Sequence, residues 1–364
     1  MSTTEPLVDQ SNRPRTVTNS PSTQAQQSSV ADLLSEARIL VTPHLRASVA
    51  ALPHEVRRIA SYHFGWADNN GRTLATDRGW GKGVRPALVL ASARAVGGDP
   101  VAAVPAAAAV QLVHEASLIQ DDVLDHDAMR RHRPAVWAVF GVPAAVLVAD
   151  ALFFASVRAL MGGSSQHAAA ATQTLIDDVQ CLVAGELADT QFETRREVSL
   201  AQCWAMTAAK TGALMGSACA LGARYGDASP ERIHAVARFG HHVGIAFQCL
   251  DDYLGIWGDD RTGKPVRADL RRRKKSLPVA YALEAETSAA AELAALYQQD
   301  KEFTDLEAQQ AAELIERTGA HAWVLGEARK QVDAALANLA EARPTPDGRD
   351  QLTALARHIT HRNA

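Results

Sequence analysis

The sequence predicts an all-α protein, and three observations carry that expectation. Apolar residues recur at spacings of three and four, as in Leu33, Leu34, Ala37, Ile39 and Leu40 and again in Val56, Ile59 and Ala60, which is the period of one helix face. Strand-like alternation of apolar and polar residues is convincing nowhere along the 364 residues. Alanine, the strongest helix former, is abundant, and aromatic residues make up only 5%. With 47% of its residues hydrophobic, the chain can bury the core of one large domain or two.

Residues 1 to 30 are mostly Ser, Thr, Gln, Asn and Pro, and bury too little apolar surface to offset the cost of ordering their backbone. They are expected to form a disordered tail, with docking of an unknown partner as its one conceivable task. The tail has no apolar core of a secretory signal, and Glu5 and Asp9 count against a transit peptide. Helical periodicity starts at Ser29. The stretch Tyr62-His63-Phe64-Gly65-Trp66 interrupts it with aromatics and is assigned to packing. Trp80-Gly81-Lys82-Gly83-Val84-Arg85-Pro86 then opens a helix running to Gly97-Gly98. Lys82 and Arg85 near that helix start, with Pro86 close to its first turn, would face an anion together with free backbone N–H groups, or, on this segment alone, are simply two solvated bases on a loop.

No Gly or Pro falls between Ala106 and Arg133, so the next helix would carry Asp121 and Asp125 one turn apart on one face. The stretch from Pro134 to Ala149 is almost wholly apolar, is interrupted by Gly141 and Pro143, and is ended by Asp150. It reads as two buried helices, too short and broken for a membrane span. In Gly185-Glu186-Leu187-Ala188-Asp189-Thr190-Gln191-Phe192-Glu193, Asp189 and Glu193 share a helical face, as metal or water ligands or simply as helix-end acids. Lys210 sits in an apolar helix from Trp204 to Leu221 and must point at solvent or at a buried anion. Gly258 to Pro265 forms a loop that, with Asp269 and the basic run Arg271 to Lys275, faces whatever Asp251 and Asp252 bind.

The chemistry concentrates at two acid pairs. Asp121-Asp122-Val123-Leu124-Asp125 follows an apolar run, and carboxylates one turn apart repel by about a few tenths of a kcal/mol. The paired Arg130-Arg131 downstream suggests a site that holds Mg²⁺ and phosphate oxygens together. Phe247-Gln248-Cys249-Leu250-Asp251-Asp252 repeats the design, and two such pairs, each followed by bases, are hard to explain as surface. Of only seven lysines against thirty arginines, Lys82, Lys210, Lys264 and Lys274 fall in these segments; lysine is a compact, movable charge suited to phosphate oxygens. The net charge of -4 gives no nucleic-acid footprint. Cys181, Cys203, Cys219 and Cys249 form no CxxC pair and read as reduced core thiols of a cytoplasmic protein.

From about residue 30 to 364 these motifs, in this order, resemble the trans-isoprenyl diphosphate synthases, or polyprenyl synthetases. The resemblance implies one domain over 31–364, an isoprenoid synthase-type bundle of about ten or more antiparallel helices around a deep central cavity, usually as a homodimer. It implies condensation of isopentenyl diphosphate with an allylic diphosphate (dimethylallyl, geranyl or farnesyl), with about three Mg²⁺ per site, replaceable by Mn²⁺. Carried over, Asp121, Asp125 and Asp251 would ligate metal, with Asp122 and Asp252 supporting. Arg130, Lys210 and Lys264 would hold the allylic diphosphate. Lys82, Arg85, His114 and Arg131 would hold isopentenyl diphosphate without metal. Gln248 and the Thr211 carbonyl would stabilise the allylic cation, and Asp252, Asp269 and Lys274 would close the second motif.

The chain departs from the family pattern at Gly83, where a base is common, at His132 and Arg273, where glycine is common, and at Gly255, where a third aspartate is often found. A class I terpene cyclase would share the fold and the first acid motif but replace the second, and a non-catalytic partner subunit would have lost one motif; the retained Asp251-Asp252 disfavours both. Product length in the family follows the depth of the cavity below the first motif. Val113, Ala116 and Ser117 are small there, so a C20 product, geranylgeranyl diphosphate, is expected over a farnesyl or a longer one, unless Phe153 or Phe154 reaches in.

Overall fold

The structure, a computed structural model, describes residues 21–75, 80–162, 165–258, 267–299 and 301–360, with side chains from residue 30. Sixteen helices account for nearly all of it among the described residues: α1 (Pro21–Ala50), α2 (His54–His63), α3 (Val84–Ala95), α4 (Val104–Leu124), α5 (Val136–Phe140), α6 (Val142–Met161), α7 (Ala168–Thr194), α8 (Leu200–Thr207), α9 (Ala213–Tyr225), α10 (Pro230–Trp257), α11 (Ala268–Arg271), α12 (Leu277–Glu284), α13 (Ser288–Tyr297), α14 (Asp305–Arg317), α15 (Ala320–Glu341) and α16 (Pro346–Thr360). The strands among the described residues are two residues each, β1 (Met129–Arg130) paired antiparallel with β2 (Arg133–Pro134).

The centre is α4, whose Ala106, Ala107, Ala108, Ala109 and Val110 are fully buried, so that α3, α6 and α9 all pack against it. Small side chains let backbones approach closely, and the large residues Leu88, Leu90, Leu112, Ile119, Leu152 and Leu214 fill the remaining space. A second pairing, α10 against α9 and α15, carries the other half of the core. Both acid motifs thus lie on helices whose opposite faces are buried.

Four expectations need correction. Helix α1 begins at Pro21 rather than near residue 30, with a proline in the first helical position where its missing N–H costs nothing; residues 1–20 of the expected tail lie outside the described residues. Gly141 and Pro143 do divide the apolar stretch into two helices, α5 and α6, but Asp150, expected to end the segment, is exposed in mid-helix. Helix α6 is therefore 20 residues long and apolar enough to cross a membrane by length and composition, but here it packs against α4. Nor is it wholly buried: Val142, Val146, Leu147, Phe154 and Met161 are exposed, Leu147 at 65% and Phe154 at 77%. Finally, Cys203, Cys219 and Cys249 are buried thiols, whereas Cys181 is exposed.

Candidate active site

Helix α4 ends at Leu124 with Asp125 as its cap, which brings Asp121, Asp122 and Asp125 to the helix mouth. The β1–β2 hairpin turns the chain back so that Arg130 reaches Asp122: its Nε donates to Oδ1 at 2.8 Å and its Nη2 contacts the same oxygen. Arg130 Nη2 also lies 3.6 Å from Asp121 Oδ2. Asp122 is only 1% exposed, and its Oδ2 is buried without a hydrogen-bond partner. The hairpin tip needs left-handed backbone at Arg131 (φ 53°) and His132 (φ 60°), and Arg273 adopts it too (φ 56°). His132 and Arg273 are the positions where glycine was the common residue, and an L side chain there is strained by about 1–2 kcal/mol.

Lys210 is held at the same mouth by an irregularity absent from the sequence reading. Between α8 and α9 the chain winds into a π-helical turn, Ala208–Gly212. Its backbone is pressed against α7 at Gly185, where a Cβ would lie 2.4 Å from the Lys210 nitrogen. Lys210 Nζ donates to Asp121 Oδ1 (3.1 Å), Glu186 Oε1 (2.9 Å) and Asp189 Oδ2 (2.8 Å), and Lys274 Nζ sits 2.9 Å from the same Asp189 oxygen. Lys210 therefore points at anions, as one of its two sequence readings had it. Asp189 joins the site while Glu193 stays exposed; Glu186, not Glu193, is its companion.

The electrostatics of this half are unbalanced. Burial would raise the Asp121 carboxyl, but Lys210 and Lys274 hold it below its usual value, and the same two lysines depress Asp189. Burial wins at Asp125, which is raised, and at Glu186, pushed up to about 7 despite Lys210. Asp252, on α10, is raised to about 7 by burial, against hydrogen bonds from Gln248 Nε2 (2.8 Å) and the Leu277 amide (2.9 Å). The Thr211 hydroxyl donates to Gln248 Oε1 at 2.8 Å, so the π turn, Gln248 and Asp252 form one relay. Asp251 is half-buried next to it. Lys264 lies outside the described residues. The basic run from the end of α11 disperses: Arg271 pairs with Asp305, Arg272 with Asp127, Arg273 with the Tyr297 carbonyl and Lys275 with the Phe192 carbonyl, so that of the run it is Lys274 that joins Lys210 on Asp189.

The second half lies two turns back along α4, where His114 and Glu115 precede Asp121 and Asp122 by seven residues each. Glu115, fully buried, accepts from Arg131 Nη2 (2.8 Å) and Gln111 Nε2 (2.6 Å) and pairs with His63 Nε2 (2.7 Å). Burial opposes its charge, yet Arg131 and His63 hold the carboxyl well below its ordinary range. Arg85 Nη1 lies 3.1 Å from His114 Nε2, and burial together with Arg85 keeps that imidazole neutral. Arg131 Nη2 would be 3.2 Å from a Cβ at Gly81, so the loop carrying Gly81 and the exposed Lys82 closes on the same guanidinium. Arg85, His114 and Arg131 thus lie together, with Lys82 on the loop beside Gly81. Glu115 and His63 were missed, although a glutamate inside the apolar run from Val110 to Ile119 carries the same signal that flagged Lys210.

Of the chain-length residues on α4, Val113 and Ala116 are fully buried and Ser117, one turn before Asp121, is half-buried. Phe154 points to solvent and Phe153 packs on the core.

The polyprenyl synthetase family pattern matches residues 74–315. The chain is 42% identical over 332 residues to the geranylgeranyl diphosphate synthase of Mycobacterium tuberculosis strain H37Rv, and 40% identical over 336 residues to the (2E,6E)-farnesyl diphosphate synthase of the same strain. Each alignment covers 91% of this chain and 93% of the relative. Among solved structures, a polyprenyl synthetase from Streptomyces coelicolor A3(2) superposes with a TM-score of 0.85 at 41% identity, covering 91% of this chain and 99% of that one.

Proposed function

This chain belongs to the polyprenyl synthetase family, with its all-α isoprenoid synthase fold, and is a trans-prenyltransferase; we propose that it binds its two diphosphates in the two unlike halves of the site and makes geranylgeranyl diphosphate. The observation that carries this is the contrast between a half rich in carboxylates that only lysines and Arg130 neutralise and a half of Arg85, His114 and Arg131 whose single carboxylate, Glu115, is already satisfied.

A diphosphate and several carboxylates share one space only with divalent cations between them, and the family depends on Mg²⁺. The residues fit such ions: Asp122 Oδ2 is a buried oxygen with no partner, and Asp125, Glu186 and Asp252 are acids whose ionisation burial disfavours and a cation would restore. No three acid, His or Cys side chains among the described residues already converge as a metal cage, and the Lys210 ammonium stands between the carboxylates instead. When bound, Mg²⁺ supplies Lewis-acid charge to the leaving diphosphate, and Mn²⁺ is expected to replace it. Asp121, Asp125 and Asp251 would hold it, with Asp122 and Asp252 fixing their neighbours. Lys210 and Lys274 would exchange carboxylate for phosphate oxygens, joined by Arg130 and Lys264. Lys82, Arg85, His114 and Arg131 hold isopentenyl diphosphate without metal, which keeps that diphosphate from ionising. Gln248 and the Thr211 carbonyl present dipoles to the allylic cation.

The farnesyl and geranylgeranyl relatives are nearly equally similar, so identity does not choose the product. Small residues at 113, 116 and 117, with Phe154 turned outward, favour C20. The exposed apolar run on α6 supports a homodimer, and the three buried free thiols suit a cytoplasmic setting. Purified protein given labelled isopentenyl diphosphate should accumulate C20, and Ala116→Phe or Ser117→Phe should shift product to C15 or C10 with turnover largely kept. Unchanged products in both variants would remove these residues from the cavity wall.

A further inference from the structure

The two acid arms are not built alike. Helix α4 places Asp121 and Asp125 four residues apart, but on α10 the residue four past Asp251 is Gly255. A Cβ at Gly255 would lie 2.3 Å from Oδ2 and 3.2 Å from Cγ of Asp269, so the Asp269 carboxylate rests on bare backbone where the side chain of residue 255 would begin. Any residue but glycine would push that carboxylate away, and glycine inside a helix is otherwise unfavourable. Asp269 is held there by its own turn: the Lys274 amide donates to the Asp269 carbonyl at 2.9 Å, and the Phe303 amide to the Arg271 carbonyl at 2.9 Å. The fields of Asp269, Asp125 and Asp189 converge on the Lys274 ammonium, so positive charge already gathers where the two arms meet.

We propose that Asp269 supplies the second arm with the carboxylate its own helix lacks, and ligates a divalent cation beside Asp251. The assignment rests on the reading above that the site holds such cations. It makes Gly255 a requirement of the site rather than a loss from it.

The test is titration of the full chain with Mn²⁺ in the presence of inorganic diphosphate, with free Mn²⁺ followed by electron paramagnetic resonance and folding checked by circular-dichroism melting. Asp269→Asn should bind one Mn²⁺ fewer, or bind at least about tenfold more weakly, with an unchanged melt. Gly255→Ala should do the same, because its methyl takes the carboxylate's place; it decides the matter if Asp269→Asn fails to fold. The double variant Gly255→Asp with Asp269→Ala, in which the truncated residue 269 leaves room for the new side chain, should regain binding, which a residue that merely braced Lys274 would not allow. Wild-type Mn²⁺ binding in either single variant, or a double variant no better than Asp269→Asn, overturns the assignment. Asp121→Ala separates the two readings. Loss of Mn²⁺ there but not in Asp269→Asn sinks Asp269 alone, whereas no loss in any variant sinks the cation site with it.

Discussion

The half of the site around Lys210 and the half around Glu115 solve opposite problems. Around Lys210 three carboxylates converge on one ammonium, with Lys274 and Arg130 at their edge, and burial still pushes Glu186, and Asp252 on α10, up to about 7. Around Glu115 one carboxylate has three partners and the neighbouring imidazole is neutral. On the proposed function, the first half would be completed by cations, and the second would take a bare anion on planar guanidinium forks already in place. A surface that must recruit metal with its ligand is left short of positive charge; one that takes a bare anion is assembled in advance.

The largest test of that contrast is removal of the acids. Asp121→Ala or Asp251→Ala should lower kcat on the order of 10³-fold or more, since several kcal/mol of transition-state stabilisation pass through them; near-normal turnover would break the contrast. Next comes Glu115→Gln, which leaves Arg131 and His63 without their charged partner at a cost of about 3–5 kcal/mol in stability. It should raise KM for isopentenyl diphosphate well above that for the allylic substrate, and equal changes would mean that the halves are not separate. Its pH signature follows from the depressed folded carboxyl. The stability Glu115 contributes is fully present above its unfolded pKa of 4.5 and is lost as pH falls below that value toward the lower folded one. Melting scans of Glu115→Gln should lack that acid limb. The smallest effect is on the wild-type Tm: Mg²⁺ with inorganic diphosphate should raise it by several degrees, the equivalent of about 2.7 kcal/mol at one hundred times Kd. Mg²⁺ alone should do much less, and an equal rise from Mg²⁺ alone would show that the acid half does not need a diphosphate to bind metal.

Much of this was legible because the signals are local. Asp121 and Asp125 one turn apart, Arg130-Arg131 just downstream, and a lone lysine among alanines each state a chemical requirement within a few residues. The all-helical fold was legible from periodicity for the same reason. What escaped depends on partners far along the chain: Glu186 matters only because Lys210 reaches it, and His63 only because Glu115 lies opposite. Asp150 misled because an acid on the exposed face of a helix and one that ends a helix look alike until the packing of the helix is known. Gly255 read as a missing acid because nothing in sequence spacing places Asp269 against it.

The π turn at Ala208–Gly212 bears on how this chain can change by insertion and deletion. One residue more than an α-helix needs is wound into it, which rotates everything beyond by about 100° relative to an unbroken helix. Losing that residue would regularise the hydrogen bonding and swing Lys210 out of its cage of three carboxylates. A deletion there would therefore give a more regular helix at the expense of the site's lysine.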